Sequence, residues 1–514
     1  MSGFSRRSLL TTSSLATAGA ALGQNQPPRP NILFLCSDQH TGSALGCSGH
    51  PVVRTPHLDR LAARGVNYRY TYCGSPVCAP GRASLMTGMF ASDVGSYCNS
   101  TPFDGRVPSW GNRLRDAGYY CWATGKLDLW KDKDFGFHEV ATSHGHSQGP
   151  DITSLFRSPV CFRPKERNVV NGSFSDREPP DLPKVQHAVR FLRQESRKVG
   201  RPWAMYVGLV KPHPKFDAAT RFREVYSPDR MPLPSWPEGY LERRHTMFQV
   251  LANFKNISNP VPEERVRRAR AAYFGMITEL DELIGRILDE LERSGQADNT
   301  LVVYTSDHGE MLGEHGLWLK NVLLEGAARV PLVVAGPGVP AGRTVDTPVA
   351  HVDLIATLLE AAGLEAAGGG RFQGQRGHSL LPLARGQSGD HPGFAFSESN
   401  SEGNCTGSFL IRQAEWKYLY FTSDEPLLFN LKEDPGEFRN LAGNREYRQI
   451  ERQLQERLTS LLDPDAVTEA AFRRQAQVLD QIAGQHSRQE FYQMMEGRLG
   501  SAQARVVTMR QYRA

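Results

Sequence analysis

No apolar run in this 514-residue chain approaches the ~20 residues that a bilayer-spanning helix needs. The eight cysteines, Cys36, Cys47, Cys73, Cys78, Cys98, Cys121, Cys161 and Cys405, form no CxxC pair and no zinc-ligand spacing, which argues against a thioredoxin-like motif and a zinc module. There is no dense Lys/Arg block with interleaved aromatics, and the net charge is only +5, so nucleic acid is a poor partner. No internal repeat recurs along the chain, which argues against a solenoid or a propeller. What remains is ordinary: 39% hydrophobic and 22% charged residues with 48 Gly and 33 Pro, the composition of a loop-rich globular protein rather than a disordered or fibrous chain.

The first residues, MSGFSRRSLLTTSSLATAGAALGQ, carry paired Arg6 and Arg7, then an Ala/Ser/Thr-rich run ending in small residues. Residues 1–23 therefore read as a twin-arginine export signal, handled by the twin-arginine machinery and placing the mature chain in a bacterial periplasm or outside the cell. Disulfides are possible in such a compartment, and a Cys73–Cys78 pair is one of them.

Four near-continuous apolar runs end in polar residues. NILFLCSDQH ends at Asp38 and Gln39, GYYCWATGKLD at Lys126 and Asp128, PWAMYVGLVKPHP at His213, and NTLVVYTSDHGE at Asp307 and His308. Such runs predict strands buried on both faces, as in a parallel sheet. Helical periodicity lies between them, clearest over Pro262–Ser294. The expected fold is α/β, a large mostly parallel sheet flanked by helices. Ligands in such sheets bind beyond the carboxyl ends of the strands, where all four polar clusters fall. Residues 29–385 read as the catalytic domain. Residues 386–514 read as a smaller α+β subdomain with an antiparallel sheet and helices.

Asp38, Gln39, Asp307 and His308 offer ligands for a hard divalent cation; the alternative is that the strand-end acids cap helices. Arg82, Lys126, His213, His245 and Lys320 are donors suited to a tetrahedral oxyanion, phosphate or sulfate. Cys78, in SPVCAPGRASLMTG, precedes Pro80 and a helical pattern, so its thiol belongs at a helix N-terminus.

Cys-x-Pro-x-Arg, here CAPGR, resembles the signature of the type I sulfatases. NILFLCSDQH, ATGKLD, KPHP and TSDHGEMLGEHGLWLK resemble further motifs of that family, in its order, over about residues 30 to 460. The resemblance implies an alkaline-phosphatase-like fold. It also implies a formylglycine made from Cys78 by a formylglycine-generating maturation enzyme, whose hydrated aldehyde supplies the oxygen nucleophile. Asp38, Gln39, Asp307, His308 and modified Cys78 would hold Ca²⁺, Arg82 would orient the diol, and Lys126, His213 and Lys320 would bind the sulfate or the leaving oxygen. The sequence departs from the family at three places. Gln39 replaces a common second acid, Gly81 replaces the usual serine at a position read as tolerant, and Asp128 replaces the histidine of Lys-x-His.

GKLD, KPHP and EWKYLYF, with His245 ahead of the long helix, resemble the arylsulfatase K or glucuronate-2-sulfatase branch. That implies a sulfated saccharide substrate, a 2-O-sulfated glucuronate or uronate, with His245 in its recognition. The loop ATSHGHSQGPDITSLFRSP is expected to line the pocket. The alternatives are a sulfatase for another sulfated sugar or aryl sulfate, a phosphoester or phosphonate hydrolase, and an inactive glycan-binding protein.

Overall fold

The computed structural model describes residues 29–144, 151–157, 162–364, 372–387 and 389–512. The export-signal segment lies outside these, as do His146, Cys161 and part of the expected pocket loop.

Eight strands form the main sheet: β1 (Asn31–Ser37), β2 (Gly65–Tyr68), β3 (Tyr120–Lys126), β4 (Glu139–His144), β5 (Trp203–Gly208), β6 (Thr300–Ser306), β7 (Leu332–Ala335) and β8 (Arg343–Val345). Their order is β8-β2-β7-β6-β1-β5-β3-β4. The stretch from β6 to β4 is parallel throughout, with Ile32 opposite both Ala204 and Leu301. Strand β7 is antiparallel to β6 and to β2, and β8 runs parallel to β2. Four of its five strands, β1, β3, β5 and β6, are those that the apolar runs predict, and the edge strand β4 is the one they do not. Parallel alignment also sends the carboxyl ends of β1, β3, β5 and β6 to one edge.

The covering helices include α1 (Cys78–Thr87), α2 (Thr246–Phe254), α3 (Glu263–Arg293) and α4 (Val352–Ala361). Alternation along β1 divides the core. Leu33 and Leu35 join Leu280, Leu283, Ile284 and Ile287 of α3 on one face. Ile32 and Phe34 join Leu85 and Met86 of α1 and Leu354 and Leu358 of α4 on the other. Each such side chain contributes about 1.5–3 kcal/mol on burial, so both faces hold the strand ends in place.

A second, antiparallel sheet follows: β9 (Phe394–Ser399), β10 (Ser408–Gln413), β11 (Trp416–Phe421) and β12 (Asp424–Asn430), paired in sequence order. Helix α5 (Arg448–Leu461) carries Leu454 and Leu458 into the core shared with this sheet. Helix α6 (Pro464–Gly484) opens on Asp463, whose carboxylate accepts from the Asp465 and Ala466 N–H groups. Among the described residues no helix is long and apolar enough to cross a membrane.

Candidate active site

Cys78 is the first residue of α1, after the extended Val77, so its Sγ stands at the positive end of the helix dipole. Pro80 occupies the first turn, where its missing N–H costs nothing. Only 3% of Cys78 is exposed. Its sulfur lies 2.8 Å from Lys320 Nζ, 3.3 Å from His308 Nε2 and 3.9 Å from Asp38 Oδ1. Burial and the Asp38 charge oppose ionisation, yet Lys126, Lys320 and His308 together hold the thiol well below its ordinary range. Cys73 and Cys78 are both free, which corrects the disulfide alternative. The reason is local: Cys73 Sγ faces the Ala327 carbonyl, while Cys78 Sγ faces the ionic cluster.

The ends of β1 and β6 supply the acids. Asp38 is paired through Oδ2 with Lys126, and its Oδ1 lies 3.5 Å from His308 Nε2. Burial pushes the Asp38 carboxyl up, but Lys126, His213, Lys320 and His308 pull it well below its usual range. Asp307 binds Arg82 Nε through Oδ2 at 2.9 Å and accepts the Gln39 and His308 N–H groups through Oδ1 at 3.1 and 2.9 Å. Burial nevertheless pushes Asp307 up, against the pull of Arg82. His308 is fixed through Nδ1, 3.0 Å from the Gly309 carbonyl. Nε2 is thereby turned towards the cluster.

Arg82 is buried and forks across the edge. Nη1 donates to the Lys126 carbonyl at 2.7 Å and to Tyr206 Oη at 2.9 Å, while Nε holds Asp307. Asp128 lies 3.0 Å from Lys126 Nζ and 3.9 Å from Arg82 Nε, so the residue in the place of the family histidine is a counter-ion to the ammonium. His213, past the end of β5, pairs Nδ1 with the Pro214 carbonyl at 2.8 Å, which leaves Nε2 as its outward nitrogen. Gln39, Asp128, Leu319 and Asn321 all have φ between 53° and 79°, so left-handed backbone conformations gather around this edge.

The sequence reading therefore brings Asp38, Gln39, Cys78, Arg82, Lys126, His213, Asp307, His308 and Lys320 to one edge. His245 is placed differently. It is the N-cap of α2, with Nδ1 accepting from the Met247 N–H at 3.2 Å and Nε2 2.9 Å from the Glu425 carbonyl, and its ring stacks on Phe421 at 4.4 Å. Both ring nitrogens serve the scaffold, so its contacts give it capping, not recognition. Gly81 is not a tolerant position in this chain. A Cβ there would stand 2.8 Å from the Asp307 carbonyl oxygen and 2.9 Å from that of Ser75.

Sequence reasoning missed Glu310. Its Oε2 takes the Gln39 side-chain N–H, while Oε1 accepts the Leu312 and Leu319 N–H groups at 2.9 and 2.6 Å. That bond leaves Gln39 Oε1 buried without a hydrogen-bond partner among the described residues. The metal-type ligand atoms of Asp38, Cys78, Asp307 and His308 lie within 4.8 Å of one another, and all four residues are buried. Two carboxylates, an imidazole and an orphaned amide oxygen make a donor set that fits a hard divalent cation.

Acids, a helix-terminal thiol and two ammonium groups at the carboxyl edge of a parallel sheet define a hydrolase of anionic esters with the alkaline-phosphatase-like architecture. The comparisons with known proteins narrow that class. The family model described as Sulfatase matches residues 30–364, and the one described as N-sulphoglucosamine sulphohydrolase, C-terminal, matches residues 313–463. Arylsulfatase K of Danio rerio is 30% identical over 470 residues, 87% of this chain and 86% of its own. Choline-sulfatase of Rhizobium meliloti (strain 1021) is 32% identical over 432 residues, 81% and 83% of the two chains. The solved phosphonate monoester hydrolase of Agrobacterium radiobacter superposes with a TM-score of 0.70 at 26% identity, covering 84% of this chain and 95% of that one. The chain belongs to the sulfatase family and is a sulfuric ester hydrolase.

Proposed function

We propose that this sulfatase removes a 2-O-sulfate from a uronic acid, glucuronate above others, at the non-reducing end of a glycan fragment. The observation that carries the catalytic part is the Cys78 sulfur, fixed at a helix N-terminus within 2.8 Å of Lys320 and 3.3 Å of His308. The similarity to arylsulfatase K over most of the chain supports the substrate. Asp38, Asp307, His308 and position 78 would hold a Ca²⁺, with Gln39 Oε1 as a further oxygen. When bound, the cation neutralises charge on the sulfate, and a formylglycine made from Cys78 supplies an oxygen nucleophile in place of a thiol. We also propose export by the twin-arginine route, after contact with the maturation enzyme.

The chain's own groups then divide the work. Lys126 and Lys320 bind the sulfate oxygens by charge-assisted hydrogen bonds. Arg82 holds Asp307 and the Lys126 backbone together, so acid and ammonium keep their spacing. His213, oriented through Nδ1, presents Nε2 to protonate the leaving sugar oxygen. Asp128 keeps Lys126 charged and aimed at the cluster.

The test is a desulfation screen on defined sulfated saccharides, set beside sulfate and phosphate esters of one aryl group and choline sulfate. The expected result is turnover of the 2-O-sulfated uronate. Activity on 6-O-sulfated glucosamine alone, or a preference for phosphate, overturns the substrate. Mass spectrometry of the peptide Ser75–Arg82, from cells with an active maturation enzyme, should find an aldehyde in place of the thiol. Asp307→Ala should lose both bound Ca²⁺ and activity, and full metal occupancy in that variant refutes the cation site.

A further inference from the structure

A group of buried polar side chains beside the reactive cluster has no assigned task. Arg157 is 7% exposed, comparable to the 3% of Cys78, yet its Nε and Nη1 have no hydrogen-bond partner among the described residues. Its remaining contacts are weak or apolar: Nη2 lies 3.5 Å from the Thr406 carbonyl, and the guanidinium lies 5.0 Å from the Phe472 ring centroid. Phe472 and Gln475 sit three residues apart on α6 and so share a face. Gln475 Nε2 donates to the Asn400 carbonyl at 2.8 Å. The Asn400 side-chain amide, Gln475 Oε1 and Glu402 Oε2 are likewise buried and without hydrogen-bond partners. Six such atoms fall in these four side chains, a local concentration that calls for partners from outside the protein.

The group is tied to the reactive edge from two sides. Asn404 Nδ2 donates to the carbonyl of Asn321, next to Lys320, at 3.0 Å, and Asn321 Nδ2 donates to Ser401 Oγ at 3.2 Å. On the other side, Asn99 Oδ1 accepts the Ala79 N–H at 3.2 Å, and Ser154 Oγ bonds Ser100 Oγ at 2.8 Å, three residues before Arg157. Glu402 supplies negative charge nearby, but a buried guanidinium with two N–H groups unbonded remains costly unless an acceptor arrives to complete it. Its planar fork matches a carboxylate in bidentate fashion.

We propose that Arg157 and Asn400 form a recognition subsite for the non-sulfated groups of the sugar, with the Arg157 guanidinium receiving the uronate carboxylate. Asn400, Gln475 and Glu402 receive ring hydroxyls. This rests on the uronate reading above. It also disfavours a quaternary ammonium substrate, which the Arg157 guanidinium would repel.

The experiment compares a methyl glucuronoside 2-sulfate with its carboxyl-reduced partner, methyl glucoside 2-sulfate, in wild type, Arg157→Lys and Asn400→Asp. The readout is the ratio of the two kcat/KM values, which a merely unstable variant leaves alone because both rates fall together. The wild type should favour the uronoside, and Arg157→Lys should lower that ratio about thirtyfold or more. Asn400→Asp, which sets a negative charge beside the carboxylate, should lower it as well. A ratio unchanged in both variants overturns the subsite and leaves the uronate reading standing. A wild type that turns over both sugars without preference overturns the carboxylate clamp alone. A wild type active on aryl or choline sulfate but on neither sugar overturns the uronate reading and the subsite with it.

Discussion

Two buried ionic clusters lie at the two ends of one short run, Lys320 to Glu325, and they use similar groups for opposite purposes. At the Glu325 end, Lys417 Nζ lies 3.0 Å from Glu325 Oε1 and 2.7 Å from Glu437 Oε1. Tyr72 Oη donates to Glu325 at 2.8 Å, and the Glu325 N–H donates to Glu437 Oε2 at 2.8 Å. Burial raises both acids, but Lys417, Arg329 and Arg412 pull Glu325 down to about 2, whereas Glu437 is left at about 7. Cation is matched to carboxylate, and the assembly fastens β11 to the main-sheet domain. At the Lys320 end the ammonium faces a sulfur and an imidazole instead. Burial does not separate the rivet from the reactive site. What the ammonium meets does: two carboxylates in one, a helix-terminal thiol and an imidazole in the other.

Cys78→Ala should break the comparison most completely. Turnover should fall by a factor on the order of 10⁴ or more, with the thermal melt within a few degrees of wild type. An aryl sulfate assay beside a circular-dichroism melt checks both halves. Lys417→Met attacks the other cluster and should do the reverse. It strands the buried Glu437 carboxylate and leaves Glu325 to Arg329, Arg412 and Tyr72, and should cost about 3–5 kcal/mol of stability, read by urea unfolding, while kcat per folded molecule at low temperature holds. Gly81→Ala sharpens the contrast on the reactive side. Its Cβ meets the Asp307 backbone at 2.8 Å. It should cost about 1–3 kcal/mol as local overpacking and lower kcat up to about a hundredfold through displacement of Asp307.

The smallest effect tests a buried acid that belongs to neither cluster. Asp281 accepts the His57 and Leu58 N–H groups at 3.0 and 2.8 Å, at the start of the Pro56–Ala63 helix, with no ion-pair partner among the described residues. Burial pushes it from 3.8 up to about 7, with Asp59 and Glu282 adding to the rise. A carboxyl raised on folding contributes stability that is fully present below pH 3.8 and lost as the pH climbs through about 7. Asp281→Asn should therefore flatten the fall in unfolding free energy over that interval, measured by urea titrations at stepped pH. An unchanged slope would show that other groups set it.

Much of this was legible in the chain because near-continuous apolar runs reveal where parallel strands end, and Asp38, Lys126 and Asp307 end theirs. Pro262 and Ser294 bound the long helix as the periodicity predicts. Other features depended on contacts across hundreds of residues. Nothing in EWKYLYF marks Lys417 as the partner of Glu325 and Glu437. Gly81 looks replaceable until the Asp307 carbonyl is placed against it. His245 looks like a free donor because histidine is an uncommon cap, and only the Met247 and Glu425 bonds show what occupies its ring. Arg157 lies in a stretch expected to line the pocket, but its missing partners are invisible without coordinates.

Because Lys320 and Glu325 share one run, the antiparallel sheet cannot be exchanged between related chains without touching the nucleophile. The Glu398 N–H donates to the Gly74 carbonyl at 3.1 Å and the Asn321 N–H to the Pro76 carbonyl at 3.1 Å, so the approach to Cys78 is laced to segments that arrive much later in synthesis. A chimaera with its crossover between Glu325 and Lys417 would take an acid from one parent and its ammonium and second acid from the other. Viable recombination seams are those that carry Glu325, Lys417 and Glu437 as a single inherited set, and replacements at these three positions are expected to travel together through descent.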